Sequence, residues 1–144
     1  AFTLMEVLLV LAILGIIAAM VVPQLMGSQE QAMRDRAKLE IKAIEDAAKR
    51  YSVQHDGEYP EILTDLTEPD LLADGITQPK PYLEKSIDPW GNPYVYAPPT
   101  NQTHLTDGYN PEVYSWGPDK QDNQGEPPKD INNWTQRLKD QQGL

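Results

Sequence analysis

The stretch FTLMEVLLVLAILGIIAAMVVPQLM, residues 2–26, decides the architecture of this chain. No charged side chain occurs from Val7 to Gly27, and at about 1.5 Å per residue a helix of that length crosses a bilayer core of about 30 Å. We therefore predict a transmembrane helix over residues 1–27. Glu6 carries a lone carboxylate at the edge of the apolar run, which costs several kcal/mol unless it is paired. Glu6 is thus a candidate functional residue.

Two other interpretations of this stretch are weaker. A cleavable secretory signal has a shorter apolar core behind a basic stretch. A helix in the core of a globular domain would be apolar on every face only in a protein large enough to enclose it. Membrane residence during at least part of the protein's life is the interpretation that remains.

Residues 28–55 are predicted to continue the same helix with one apolar face. Apolar residues recur there at spacings of three and four, and they are Met33, Ala37, Ile41, Ile44, Ala48 and Tyr51. The other faces are charged. Because only Pro23 and Gly27 interrupt the two patterns, we expect one continuous helix of about fifty residues.

Residues 56–144 are predicted to form a small globular domain. His55, Asp56 and Gly57 end the helix, and residues 61–86 contain a short helix or an irregular loop. Two β-prone runs follow, Tyr94–Tyr96 and Val113–Trp116. Turn residues precede or follow these runs, so we expect two short strands.

Composition excludes several classes of function. The net charge is −10, and residues 52–144 hold sixteen acidic side chains against six basic ones, so a nucleic-acid partner is not expected. The chain has no cysteine, which excludes thiol chemistry and disulfides. It has no phosphate-binding glycine loop and no hydrolase motif. His55 and His104 stand alone in the sequence, so we predict no enzyme activity.

The acidic loop, residues 119–130 with the sequence DKQDNQGEPPKD, is the candidate metal site. Calcium takes six to eight oxygen ligands, and the loop offers four carboxylates together with the Asn123 amide and backbone carbonyls. These carboxylates belong to Asp119, Asp122, Glu126 and Asp130. The alternative is a solvated acidic turn. Three tryptophans could likewise form a carbohydrate platform, although core packing is the simpler role.

The N-terminal residues AFTLMEVLLVLAILGIIAAMVVP, 1–23, resemble the N-terminus of type IV pilins and of type II secretion pseudopilins. In that superfamily a prepilin peptidase cuts before the Phe, which is then N-methylated. The resemblance therefore implies that Phe2 is the methylated N-terminus and that Ala1 is the last leader residue. It also implies that Phe2, Glu6 and Pro23 serve filament assembly.

Three further blocks are similar to the soluble domain of the major pseudopilins of type II secretion systems. They are DPWGNPYVY at 88–96, YSWGPD at 114–119 and DINNW at 130–134. The resemblance implies an α+β, pilin-like fold, in which a long N-terminal helix packs on a small antiparallel sheet. It also implies Ca²⁺ binding through Asp119 and Asp130. Lys129 departs from the family pattern, where an acid is expected, so Asp122 or Glu126 would have to complete the site.

The function implied is that of a structural subunit of the type II secretion pseudopilus. Such a subunit is a single-pass protein of the bacterial inner membrane with a periplasmic domain. It polymerises with itself into a filament that helps to export folded proteins across the outer membrane. Its other partners are minor pseudopilins, the inner-membrane assembly platform and the prepilin peptidase. The alternatives are a type IV pilin for adhesion or motility and a monomeric membrane-anchored binding module.

Two expectations concern the assembled filament. Glu6 should pair with the N-terminal amine of a neighbouring subunit, because nothing else near the apolar run can neutralise it. The backbone from Gly15 to Pro23 should be partly non-helical, because Pro23 leaves the carbonyl of Ala19 without its donor. An isolated subunit should stay helical there.

Overall fold

The structure is a computed structural model that describes residues 1–68, 75, 81–104 and 108–142. The side chains of residues 22–26, 136 and 140–142 are outside the description. The chain divides into two compact units, Ala1–Met33 and Arg34–Leu144. Helix α1, Leu4–Gln54, contributes to both units.

Helix α1 is the long helix that the sequence predicted. It contains 51 residues and is uninterrupted at Gly15 and Pro23. This continuity agrees with the expectation for an isolated subunit. The predicted unwinding concerns the filament, and it stays a prediction.

The end of α1 is also where the sequence placed it. Asp56 and Gly57 have positive φ angles of 54° and 94°, and the Gly57 N–H donates to the Ser52 carbonyl at 2.8 Å. A left-handed residue just after a helix commonly turns the chain so that the last carbonyls find donors.

One face of α1 forms the core of the second unit. Its fully or almost fully buried apolar residues are Ala37, Ile41, Ile44, Ala47 and Ala48. The predicted stripe is confirmed there, with Tyr51 packed at the edge of the same cluster. Met33 was expected in the stripe, but it is 40% exposed, because the second unit begins at Arg34.

A three-stranded antiparallel sheet packs with this face. Its strands are β1 (Val95–Ala97), β2 (Glu112–Ser115) and β3 (Ile131–Asn132), in the spatial order β1-β2-β3. Val95 pairs with Tyr114, and Ser115 pairs with Ile131. Val113 and Ile131 of the sheet, together with Leu66, Tyr82 and Tyr94, complete the core. The long helix on a small antiparallel sheet confirms the predicted α+β, pilin-like fold.

Among the described residues, the sequence misplaced two strands by one residue and missed one strand and one α-helix. The predicted runs at 94–96 and 113–116 correspond to β1 at 95–97 and β2 at 112–115. A short helix or an irregular loop was expected within 61–86, and the described residues there contain a 3₁₀ turn, Leu63–Leu66, while residues 69–74 and 76–80 lie outside the description. The missed elements are β3 and a C-terminal helix α2, Thr135–Gln142. Both depend on partners far along the chain, which a local pattern does not reveal.

Glu45 joins α1 to the C-terminal part of the domain. Its side chain is 1% exposed, and its carboxylate accepts hydrogen bonds from Lys49 Nζ at 2.6 Å, from Asn133 Nδ2 at 3.2 Å and from Arg137 Nη2 of α2. Burial alone raises the pKa of Glu45, but the hydrogen bonds from Lys49 and Arg137 more than offset that effect. The pKa is lowered to about 2.

We expect the domain to lose stability in acid through Glu45. Its folded-state pKa of about 2 lies below its ordinary value of 4.5, so the stabilisation is complete above pH ~5 and is lost as the pH falls towards 2. A shift of this size corresponds to about 3 kcal/mol. The measurement is urea unfolding of the full chain in detergent micelles at several pH values between 7 and 3.

Glu45→Gln should be less stable than the wild type at pH 7, with the difference shrinking as the pH falls. Asp46→Asn is the matched control, because Asp46 neighbours Glu45 on the same helix but its side chain is 55% exposed. A constant difference between Glu45→Gln and the wild type across this range would contradict the assignment.

Candidate assembly segment and cation site

Thr3 and Glu6 cap the N-terminus of α1 with each other. Glu6 Oε2 accepts hydrogen bonds from Thr3 N at 2.9 Å and from Thr3 Oγ1 at 3.0 Å, and Glu6 N donates to Thr3 Oγ1 at 3.2 Å. This reciprocal arrangement is a capping box. It fixes the Glu6 carboxylate but brings no positive charge to it, and the first basic side chain in the sequence is Arg34.

The apolar part of α1 is uncovered. The segment Leu4–Val21 has a mean hydropathy of 2.8, and none of it is buried. Within the described residues it is the one helix long and apolar enough to cross a membrane. Phe2, just before it, is 90% exposed. An uncovered apolar surface of this extent marks contact with lipid or with another protein.

Pro23, the third predicted assembly residue, continues the α1 backbone. Its side chain lies outside the described residues.

Asp88 connects the DPWGN turn to strand β2. Its side chain is buried, and its two oxygens accept hydrogen bonds from Trp90 N at 3.0 Å, Asn92 N at 2.7 Å and Ser115 Oγ at 2.6 Å. Ser115 Oγ in turn accepts the Gly117 N–H at 3.0 Å. Two of the sequence blocks that carry the family resemblance therefore meet at one buried carboxylate.

Gly117 opens the acidic loop at a point with no room for a side chain. Its φ is +70°, and a Cβ placed on it would lie 2.3 Å from the backbone oxygen of Lys129. The chain just before the acidic loop and the last residues of the loop are thus in van der Waals contact. Arg34 Nη1 holds the same end of the loop by donating to the Pro128 carbonyl at 2.8 Å.

Asp130 organises the interior of the loop. It is 2% exposed, and its Oδ2 atom accepts the N–H groups of Asn123 at 3.0 Å and Gly125 at 2.8 Å. Trp134 covers the loop so closely that a Cβ on Gly125 would lie 2.3 Å from its ring. Trp134 is itself 3% exposed, so it is a core residue and not part of a carbohydrate platform.

Asp119 and Asp130 are brought together by Asn123. The Asn123 Nδ2 atom lies 3.4 Å from Asp119 Oδ2, 3.0 Å from Asp130 Oδ1 and 2.9 Å from the Gln121 carbonyl oxygen. Three oxygens therefore converge on one partly positive nitrogen. The donor set, two carboxylates and a carbonyl, suits a hard cation such as Ca²⁺.

The other two predicted ligands are placed differently. Asp122 Oδ1 accepts the Tyr114 hydroxyl at 3.0 Å and the Gln124 N–H at 2.8 Å. Burial first, and this bond to Asp122 second, raise the pKa of Tyr114 to about 12. Glu126 is exposed and joins the loop through its backbone. Among the described residues, no three His, Cys, Asp or Glu side chains form a metal-binding group.

Lys129 lies beside the converging oxygens. Its Nζ atom is 3.9 Å from Asp119 Oδ2. The departure from the family pattern noted in the sequence therefore places a positive charge at the edge of the predicted cation site.

The two histidines have structural contacts. His55 stacks on Tyr51 with ring centroids 3.8 Å apart. His104 stacks on Trp134 at 4.5 Å, and its Nδ1 atom is 3.5 Å from Glu112 Oε2. Neither contact resembles a nucleophile paired with a base.

The family model of type II secretion system protein G matches residues 24–134. The chain belongs to this family. A Pseudomonas aeruginosa protein named type II secretion system core protein G is 38% identical in an alignment of 139 positions that covers 92% of this chain and 93% of that protein. The Vibrio cholerae protein of the same name is 34% identical, with 92% of this chain and 90% of that protein covered.

A solved structure agrees with these matches. The crystal structure of the major pseudopilin from the type 2 secretion system of enterohaemorrhagic Escherichia coli has a TM-score of 0.55 with this chain at 26% identity. The match covers 78% of this chain and 91% of that one. The pseudopilin resemblance drawn from the sequence is confirmed, in preference to a type IV pilin or a monomeric binding module.

Sequence reasoning missed several contacts that stabilise helix α1 and the folded domain. The Thr3–Glu6 pair could have been found, because Thr-x-x-Glu before an apolar run is a capping signal. Asp88, Asn133 and Arg137 carry no such signal. Their long-range partners are Ser115 for Asp88 and Glu45 for Asn133 and Arg137. These partners lie 27 or more positions away, so only the fold brings them together.

We expect Gly117→Ala to destabilise the domain far more than Gly57→Ala. Both glycines have positive φ, but a Cβ at Gly57 would have nothing within 4 Å, whereas at Gly117 it would strike the Lys129 carbonyl. The conformational cost alone is about 1 kcal/mol, and the clash should bring the Gly117→Ala total to about 3 kcal/mol or more. Thermal unfolding of the full chain in detergent measures both. Equal losses in the two variants would show that the loop ends are not in contact.

Proposed function

We propose that this chain is the filament-forming subunit of a type II secretion pseudopilus. The observation that carries the proposal is the uncovered apolar segment Leu4–Val21 at the end of a helix whose other end builds a folded domain of the protein G family. Such a segment can leave lipid only if identical segments cover one another. Head-to-tail stacking of identical subunits does this without limit, which produces a filament.

The location and partners follow from the same proposal. Before assembly the subunit would span the bacterial inner membrane once, with its domain in the periplasm. A prepilin peptidase would expose Phe2, whose amine would then be methylated. Minor pseudopilins and the inner-membrane assembly platform would start the filament, which helps to export folded proteins across the outer membrane. The role is structural and not catalytic.

The Glu6 carboxylate sets how neighbouring subunits align along the filament. A carboxylate that moves from the lipid edge into a bundle of apolar helices needs a positive charge. No basic side chain occurs in the first 33 residues. The N-terminal amine of the adjacent subunit is the charge that stacking can deliver to it.

Glu6→Ala and Glu6→Gln should both insert into membranes and both fail to assemble. The Gln variant is the informative one, because its amide oxygen can still accept the hydrogen bonds from Thr3 while the charge is gone. The measurement is filament yield after shearing, with membrane fractionation as the control for insertion. Normal filament yield from either variant would overturn the charge pairing.

We also propose that the acidic loop binds Ca²⁺. Asp119 and Asp130 would hold the ion, with the Gln121 carbonyl and the Asn123 side chain completing the inner set. The support is the convergence of three oxygens on Asn123 Nδ2. The ion would neutralise the two carboxylates and cross-link the two ends of the loop. Asp122 and Glu126 remain predicted additional ligands.

Calcium should raise the unfolding temperature of the full chain in detergent. At a free concentration of a hundred times its Kd the ion adds about 2.7 kcal/mol. Asp119→Ala should abolish the difference between calcium and chelator, whereas Glu61→Ala, an exposed acid outside the loop, should preserve it. Lys129→Gln should tighten binding, because it removes the ammonium 3.9 Å from Asp119. Equal midpoints with calcium and with chelator in the wild type would mean that the loop is only a solvated acidic turn.

A further inference from the structure

Helix α2 begins just after the residues that the family model matches, which end at Trp134. It is nevertheless built into the domain. Its Arg137 bonds to Glu45, which is 1% exposed on the core side of α1. Lys139, two residues further, is exposed and carries an ordinary solvated charge on the same helix.

Two neighbouring asparagines connect α2 to the rest of the domain. Asn132 Oδ1 accepts the N–H groups of Trp134 at 3.2 Å and Thr135 at 2.8 Å, which lie at the start of α2. The first N–H groups of a helix have no partner within it, so this bond stabilises the helix. Asn132 Nδ2 donates to the Gly125 carbonyl at 2.6 Å. The start of α2 and the middle of the acidic loop therefore share one side chain.

The Asn133 side chain contacts α1 and β2. Its Nδ2 atom donates to Glu45 Oε2 at 3.2 Å and to the Pro111 carbonyl at 2.9 Å. Its Oδ1 accepts the Val113 N–H at 3.1 Å, and its own N–H donates to the Val113 carbonyl at 3.2 Å. Asn133 thus extends the pairing of β2 and at the same time touches the carboxylate that binds Arg137.

We propose that α2 acts as a structural lock. The ion pair between Arg137 of α2 and Glu45 of α1 keeps α2 packed on the domain. When the pair forms, Asn133 is fixed against α1 and β2, and Asn132 is fixed against the loop. The loop is then ordered from the C-terminal side, whether or not an ion is present. The proposal concerns the folded chain alone and does not rest on filament assembly or on calcium.

The Arg137–Glu45 pair is stabilising, but its geometry allows α2 to detach. Glu45 is buried, so removing its guanidinium partner leaves a charged group short of a donor, and the domain resists that loss. Arg137 Nη1, however, is buried and has no hydrogen-bond partner in the part of the chain that the structure describes. Arginine holds a carboxylate most firmly through both ends of its fork. Arg137 binds Glu45 through Nη2. We therefore expect α2 to detach from the domain before the core unfolds.

The test is hydrogen exchange by NMR on the full chain in detergent micelles with chelator present. The reporters are the amides of Asn123 and Gly125 in the loop and of Leu138 in α2, which donates to the Trp134 carbonyl at 2.9 Å. In Arg137→Gln all three should exchange about tenfold faster or more. The amide of Leu83, bonded to the Leu66 carbonyl at 2.8 Å, should not change.

Lys139→Gln is the matched control and should exchange like the wild type. In the Glu45→Gln background, Arg137→Gln should change the rates less than about threefold, because the pair is already lost. If Arg137→Gln is too unstable to measure, Arg137→Lys, which keeps the charge but loses the fork, should give intermediate rates. The lock is refuted if Arg137→Gln behaves like Lys139→Gln, or if α2 loosens while Asn123 and Gly125 stay protected.

Discussion

The whole structure depends on one helix with two different surfaces. Over Leu4–Val21 α1 is apolar all round and uncovered, whereas over Ala37–Ala48 it buries one face in a domain core. None of the first surface is buried by the residues that the structure describes. The second surface is buried, and the small sheet packs on it. A three-stranded sheet of short strands would be marginal without that helix.

Because the strands are short, buried carboxylates and amides provide many of the hydrogen bonds that stabilise the domain. The strands contain three, four and two residues, and the chain has no cysteine to cross-link the connections. Asp88 and Asp130 instead accept backbone N–H groups from the turns that follow or precede them. A carboxylate that accepts several N–H groups can be buried without a great cost, since its charge is dispersed over them. The turns of the domain are therefore specified by a few acids at fixed positions.

The features that the sequence predicted correctly are local. The apolar run, the spacing of Ala37, Ile41, Ile44 and Ala48, and the turn at His55–Gly57 each appear within one segment, so periodicity and turn chemistry were sufficient. Apart from the Thr3–Glu6 cap, the missed features are not local. Strand β3 is defined by its pairing with β2, and α2 is held by Glu45, which is 92 positions before Arg137. The cation site is intermediate, since the acids are visible in the sequence but their partners are not.

The acidic loop illustrates the difference between what a local sequence shows and the contacts that the fold provides. From its sequence the loop is a run of four mutually repelling carboxylates with no regular hydrogen bonds, which would require an ion for order. In the structure Asp130 is already engaged by two N–H groups, and Asp122 is turned towards Tyr114. Lys129 and the Asn123 amide bring positive or partly positive atoms to Asp119. An ion would therefore replace polar contacts that exist without it, and its net contribution is the excess of its oxygen bonds over those contacts. This makes the order of the loop a property of the chain, which a cation would strengthen and not create.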